Sequence, residues 1–296
     1  LPVAVLSLIA SAPTARADGE AKNVIFFLGD GMGPAAVTSA RIYRYGEDGK
    51  LHMESLPRTA RIKTFSEDAQ TTDSAPSMAA YVTGVKMKNE VLSMTPETVA
   101  VPPGAGGVNN CTANGANGAA VATLLETAKA RGKAVGAVTT TRITHATPAS
   151  AYAHSVDRNW ESNSELPAGA TCHDIARQLV EWSQSSQLKL VLGGGRTAFT
   201  PKAQTDPEYA DKKGNRTDNR DLIAEWKAKH RGGQYVWNAA QFGALGTEQL
   251  AALAEDPPER ARLTPLSVAG AFHTHHMQPA VQVLDGLATA VSTHDP

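Results

Sequence analysis

Along this chain, continuous apolar runs alternate with segments whose apolar positions recur every three or four residues, and that rhythm predicts an α/β protein. Asn23-Val24-Ile25-Phe26-Phe27-Leu28 is an apolar run ending in Gly29-Asp30-Gly31, the pattern of a strand buried on both faces of a parallel sheet. Ser74 to Thr83 reads as a short helix, with Pro76 in its first turn and Gly84 as its stop. Residues 119–131 place Val121, Leu124, Leu125 and Ala128 on one face, with Gly132 just past the end, which predicts an amphipathic helix. Residues 134–139 predict a second buried strand, residues 174–182 another amphipathic helix, and residues 188–192 a third strand closed by Gly193-Gly194-Gly195. The expected architecture is a doubly wound, mostly parallel sheet with helices on both faces. Residues 96–118 and 203–221 read as surface loops, and Trp226, Trp237 and Phe242 as anchors of short later elements.

The first ten residues form an apolar run too short to span a bilayer, followed by small residues and Ala15-Arg16-Ala17. This is the h-region and cleavage site of a secretory signal, so residues 1–17 are expected to be a signal remnant and the protein to be periplasmic or secreted. No later segment is long enough to cross a membrane once that signal is removed.

Composition narrows the function further. The chain has 296 residues, 42% of them hydrophobic, enough to bury a substantial core, and its formal net charge of -1 offers no field to attract nucleic acid or an anionic membrane. Recognition must therefore be local. The two cysteines, Cys111 and Cys172, suit one structural bridge in an oxidising compartment, with two free buried thiols as the alternative.

Candidate chemistry gathers just past predicted strand ends and at one helix start. Ser74 opens a helix whose first N–H groups are unpaired, so it is either a nucleophile facing an anion or, with Asp73, an ordinary N-cap. Asp30, between glycines at the end of the first predicted strand, is placed to hold a metal or simply to close a tight turn. Thr141 to Tyr152 is dense in hydroxyls around His145, and Arg158 follows with the planar fork that grips phosphate oxygens. His273, His275, His276 and His294 form a tail cluster that is either a zinc site or a set of exposed loop histidines.

Taken together, Asn23 to Gly33, Thr72-Asp73-Ser74-Ala75-Pro76-Ser77, Val138 to Ala149 and Tyr152 to Trp160 resemble the alkaline phosphatase family in its metal-dependent secreted or periplasmic branch. The resemblance implies hydrolysis of small-molecule phosphate monoesters through a phosphoserine on Ser74, with Zn2+ and Mg2+ as cofactors. It makes Asp30 a bridge between a zinc and the magnesium, Ser74 a zinc-side ligand, and Thr147 a magnesium ligand. His145 becomes the variable residue at the third metal site, and Arg158 the grip on the phosphoryl oxygens. Cys111 and Cys172 fall where animal-type members place a disulfide, and members are often homodimers. The family's later metal-ligand segments do not appear after His294, so residues 18–296 read as an alkaline phosphatase domain truncated before them. One zinc is then expected to lose all its family ligands. A catalytically incomplete phosphate- or metal-binding fragment is the alternative, and a sulfate-ester or diester hydrolase a minor third.

Overall fold

A computed structural model describes residues 23–100, 117–181, 188–230 and 232–245. The signal segment, Cys111, most of the loop at residues 96–118 and the tail histidines lie outside the described residues. In chain order the elements are α1 (Pro34–Tyr45), α2 (Ser74–Thr83), α3 (Leu124–Ala130), β1 (Val135–Arg142), α4 (Ala146–Ala149), α5 (Ile175–Glu181), β2 (Leu188–Gly194), α6 (Leu222–Lys229) and α7 (Ala239–Gly243). The fold class is α/β. β1 and β2 pair in parallel, Val135 opposite Leu188 and Val138 opposite Leu192, and the chain between them passes through α4 and α5.

Local chemistry sets the helix limits. Asp73 caps α2 by accepting from the Ala75 amide, and Gly84 ends it in the left-handed region at φ 74°, where a side chain is strained. Thr123 and Glu126 form a reciprocal capping box that starts α3 at Leu124, so the predicted helix at residues 119–131 is real but begins later, with Val121 before it. α1 was not anticipated: Gly33 and Pro34 start it, yet it buries no residue, so its apolar spacing carries little signal.

The predicted strand at Asn23–Leu28 does not form. Val24 and Ile25 are 79% and 69% exposed, and Phe26 instead lies 5.4 Å from the Tyr81 ring of α2. A strand needs a neighbour for its backbone N–H and C=O groups, and among the described residues the sheet consists of β1 and β2. The second predicted strand forms as β1, but its residues alternate between half-buried and exposed rather than being buried on both faces. The apolar run reports a tendency to be covered; it does not supply the cover.

The main core lies where α2, α4 and α5 meet the sheet. Ala75, Ala146, Ala149 and Ala153 are all buried there beside Leu92, Tyr152, Ile175 and Leu179, with Ala137, Leu188 and Val191 of the strands packed against them. Small side chains let α2 and α4 approach closely, which brings the start of one helix beside the start of the other. The loop at residues 203–221 is mostly exposed as expected, but Gly214 and Arg216 are buried. Arg216 is fully buried, bonded to both Asp174 oxygens at 3.0 and 3.1 Å and to Asp218 at 2.5 Å. A single arginine inside a charged stretch gives no sequence sign that it points inward.

Candidate active site

Two helix starts and one loop converge. β1 ends at Arg142, the Ile143 amide donates to Gly194 on β2 at 3.0 Å, and the buried Tyr152 hydroxyl donates to the Ile143 carbonyl at 2.7 Å. These bonds fix the turn that delivers His145 in extended geometry to the N-cap position of α4. In the first turn of α4, the Thr147 hydroxyl donates to Asp30 Oδ2 at 2.9 Å, reaching back to the Gly29–Gly33 turn, where Gly31 sits at φ 65°. Asp30 itself is exposed.

Ser74 is the first residue of α2, and its position depends on Asp73. The Asp73 carboxylate accepts from the Ala75 amide at 2.6 Å and from the Glu90 amide at 2.5 Å. Arg158 completes the group: its Nη1 donates to Asp73 Oδ1 and to Ser74 Oγ, both at 3.2 Å, and its Nη2 faces His145 Nε2 at 3.3 Å. A guanidinium only donates, so His145 Nε2 is the acceptor and the proton of the neutral ring sits on Nδ1, which is buried without a partner. Burial, followed by the charges of Arg158 and Arg142, pushes the His145 imidazole below its ordinary value, so the ring is neutral near pH 7. Glu90, raised first by burial and then by Asp73, is a less acidic carboxyl at the edge of the same group.

The catalytic and metal-site residues predicted from the sequence, Ser74, Arg158, Asp30, His145 and Thr147, therefore lie in one chain of contacts. Cys172 packs beside Val156 and Trp160, away from that chain, and Cys111 is outside the described residues. Two features escaped sequence reading. Asp73 reads there as a cap alone, although it also holds the arginine. Glu161 accepts from Arg142 at 2.6 and 2.8 Å and from Thr144 at 2.6 Å, bracing the turn before His145 across a separation that no local spacing reveals.

As metal donors, Asp30 and Thr147 offer oxygens and His145 an imidazole, a mixture that suits a hard cation at the oxygen end and zinc at the nitrogen end. No group of three or more His, Cys, Asp or Glu side chains comes together among the described residues. A tetrahedral zinc site is therefore not completed by them.

A family model described as alkaline phosphatase matches residues 21–256. The tissue-nonspecific alkaline phosphatase isozyme of Gallus gallus is 40% identical over 245 residues, which is 78% of this chain and 45% of that protein. An alkaline phosphatase of Gadus morhua is 42% identical over 240 residues, or 76% of this chain and 48% of its own. The solved alkaline phosphatase of the Antarctic bacterium TAB5 aligns over 73% of this chain and 48% of its own at 25% identity, with a TM-score of 0.48. The chain thus spans about half the length of the curated relatives it matches. With the model match extending over most of the sequence and identity near 40% to those relatives, the chain belongs to the alkaline phosphatase family.

Proposed function

We propose that this chain carries the nucleophile and phosphate grip of a periplasmic or secreted phosphate-monoester hydrolase. The observation that carries the reading is Arg158 donating to both Asp73 and Ser74 Oγ at 3.2 Å, an arrangement that points one guanidinium edge at a hydroxyl on a helix N-terminus. In this reading Ser74 Oγ attacks the phosphorus of a small-molecule monoester, the bond to the ester oxygen breaks, and the proton lost by the Ser74 hydroxyl passes through solvent to the departing alkoxide. Water then attacks the phosphoserine, releasing inorganic phosphate and restoring the hydroxyl. Arg158 offsets charge on the non-bridging oxygens, and the positive end of the α2 dipole favours the same anion. Asp73 keeps the guanidinium in place. Neutral His145 accepts from the other Arg158 nitrogen and so limits its rotation.

Zinc and magnesium are the cofactors assigned to Asp30, Ser74, His145 and Thr147 under this proposal. Since the described residues leave zinc short of ligands, the remaining donors belong elsewhere in the assembled enzyme. A Cys111–Cys172 bridge, in keeping with the absence of free cysteines among the described residues, and a homodimer are further parts of the reading. Among the described residues no helix is long and apolar enough to cross a membrane.

Release of p-nitrophenol from its phosphate ester in zinc and magnesium tests the proposal. Ser74→Ala is expected to lower turnover by about three orders of magnitude or more, as loss of a covalent nucleophile does. Equal rates in variant and wild type would sink it. The incomplete zinc shell favours a second reading, a phosphate- or metal-binding piece without turnover, which calorimetric binding of zinc and phosphate without product release would select.

A further inference from the structure

His154 takes no part in the site described, yet both of its ring nitrogens are tied on the segment leading to Arg158. Its Nδ1 lies 2.8 Å from the Ser93 carbonyl and its Nε2 3.0 Å from Glu126 Oε1. A carbonyl and a carboxylate only accept, so both ring nitrogens must donate, and that requires the doubly protonated ring. The main chain is gripped as well: the His154 amide donates to Gln178 Oε1 at 2.9 Å, and Gln178 Nε2 returns a bond to the His154 carbonyl at 2.9 Å. Onward from His154, Ser155 and Leu92 exchange backbone bonds at 2.8 and 3.0 Å, the Ser155 hydroxyl donates to the Asp157 carbonyl, and the Arg158 amide donates to Glu90 at 2.8 Å. No link between the ring and the arginine is loose.

We propose that His154 is a positioning residue, an imidazolium clamped between the Ser93 carbonyl and the Glu126 carboxylate that fixes the segment carrying Arg158 toward Ser74. Glu126 is itself set by the capping box of α3, where its other oxygen accepts from the Thr123 amide at 2.6 Å, so the clamp ties α3 to the phosphate side of the fold. Ser93 adopts φ 49°, an uncommon conformation for a residue with a side chain, and its carbonyl accepts from the Val121 amide at 2.9 Å as well as from His154. The groups bonded to the ring are Ser93 from the loop after α2 and Glu126 from α3; Gln178 from α5 holds the His154 main chain, and Arg131, just past α3, lines the same open cleft. Burial pushes the imidazolium down, but the bond to Glu126 and then the one to Ser93 outweigh it and hold the ring above its ordinary value. The clamp is thus complete below about pH 6.5, the ordinary imidazole midpoint, and is lost as pH rises through the raised value of the folded protein.

The importance of Arg158 rests on the phosphatase reading; the clamp does not. The test is 15N imidazole spectroscopy of the full chain across pH, with amide exchange at Arg158, corrected for its intrinsic base catalysis, measured on the same samples. Both ring nitrogens of His154 are expected to be protonated at pH 6, and protection of the Arg158 amide to fall through the same midpoint as the ring. Glu126→Gln is expected to lower that midpoint and to speed Arg158 exchange about tenfold at pH 6, the scale of one lost charged hydrogen bond. A neutral ring at pH 6, a midpoint unmoved by Glu126→Gln, or Arg158 exchange indifferent to the state of the ring overturns the proposal. If the variant fails to fold, the coincidence of the two wild-type midpoints decides. Calorimetry with inorganic phosphate, run alongside, separates the two claims: no binding at any pH sinks the phosphatase reading, while the ring and amide signals still judge the clamp.

Discussion

The Ser74 side and the Asp30 side meet at one place but are held by different means. Behind Ser74 and Arg158 stand buried alanines, Leu92, Tyr152 and Trp160, and the polar groups are cross-bonded to one another through Asp73, Glu90 and Asp157. Asp30 follows an exposed apolar segment and reaches the site through a bond from Thr147. A group held by many short bonds and a packed backing is organised before any ligand arrives, whereas one held by an exposed contact adjusts to what binds it. The first arrangement suits gripping a phosphoryl group of fixed shape, and the second suits a cation whose other ligands come from elsewhere.

The largest expected effect probes the packed side. Asp174 and Arg216 are 1% and 0% exposed, and Asp174 also accepts from the Arg177 amide at 2.8 Å at the start of α5. Asp174→Ala leaves a buried guanidinium with Asp218 as its remaining acidic partner, and is expected to lower unfolding stability by about 3 kcal/mol, measured by urea denaturation. A loss below about 1 kcal/mol would mean that this backing is softer than its burial implies.

The acid limb of the pH dependence tests the brace before His145. Burial pushes the Glu161 carboxyl up, but the hydrogen bonds from Arg142 and Thr144 outweigh it and hold it below the usual carboxylate range. A depressed carboxyl contributes stability that is present above its unfolded midpoint and is lost as pH falls through the folded one. Glu161→Gln is expected to cost about 1.5–3 kcal/mol at pH 7 and to flatten stability between about pH 5 and pH 3. A variant whose acid limb matches that of the wild type would show that Glu161 does not brace the turn.

How much of this was legible beforehand follows the same divide. Ser74 was readable because a helix start, a proline in the first turn and a glycine stop are local marks, and the structure reproduces all of them. β2 and α5 were likewise visible in their periodicity and form close to the predicted limits. The second task of Asp73, the inward turn of Arg216 and the Glu126–His154 clamp were invisible, because each joins residues far apart in sequence and nothing in a residue's neighbours reports what the fold brings opposite it. The apolar run at residues 23–28 misled for a related reason: hydrophobicity records that a segment is suited to burial, and what buries it is a tertiary fact.

The smallest expected effect tests the exposed side most sharply. Ile25 is 69% exposed, so its substitution by lysine removes little buried apolar area. Ile25→Lys is therefore expected to change unfolding stability by no more than about 0.5 kcal/mol, the range of surface positions, while the fluorescence of buried Trp160 stays unchanged. Burial of an isoleucine side chain is worth about 1.5–3 kcal/mol, so a loss of that size would place a cover over residues 23–28 in solution. The strand predicted from sequence would then form upon that cover, and the contrast between the two sides of the site would reflect what packs against the Asp30 segment, not how the segment itself is built.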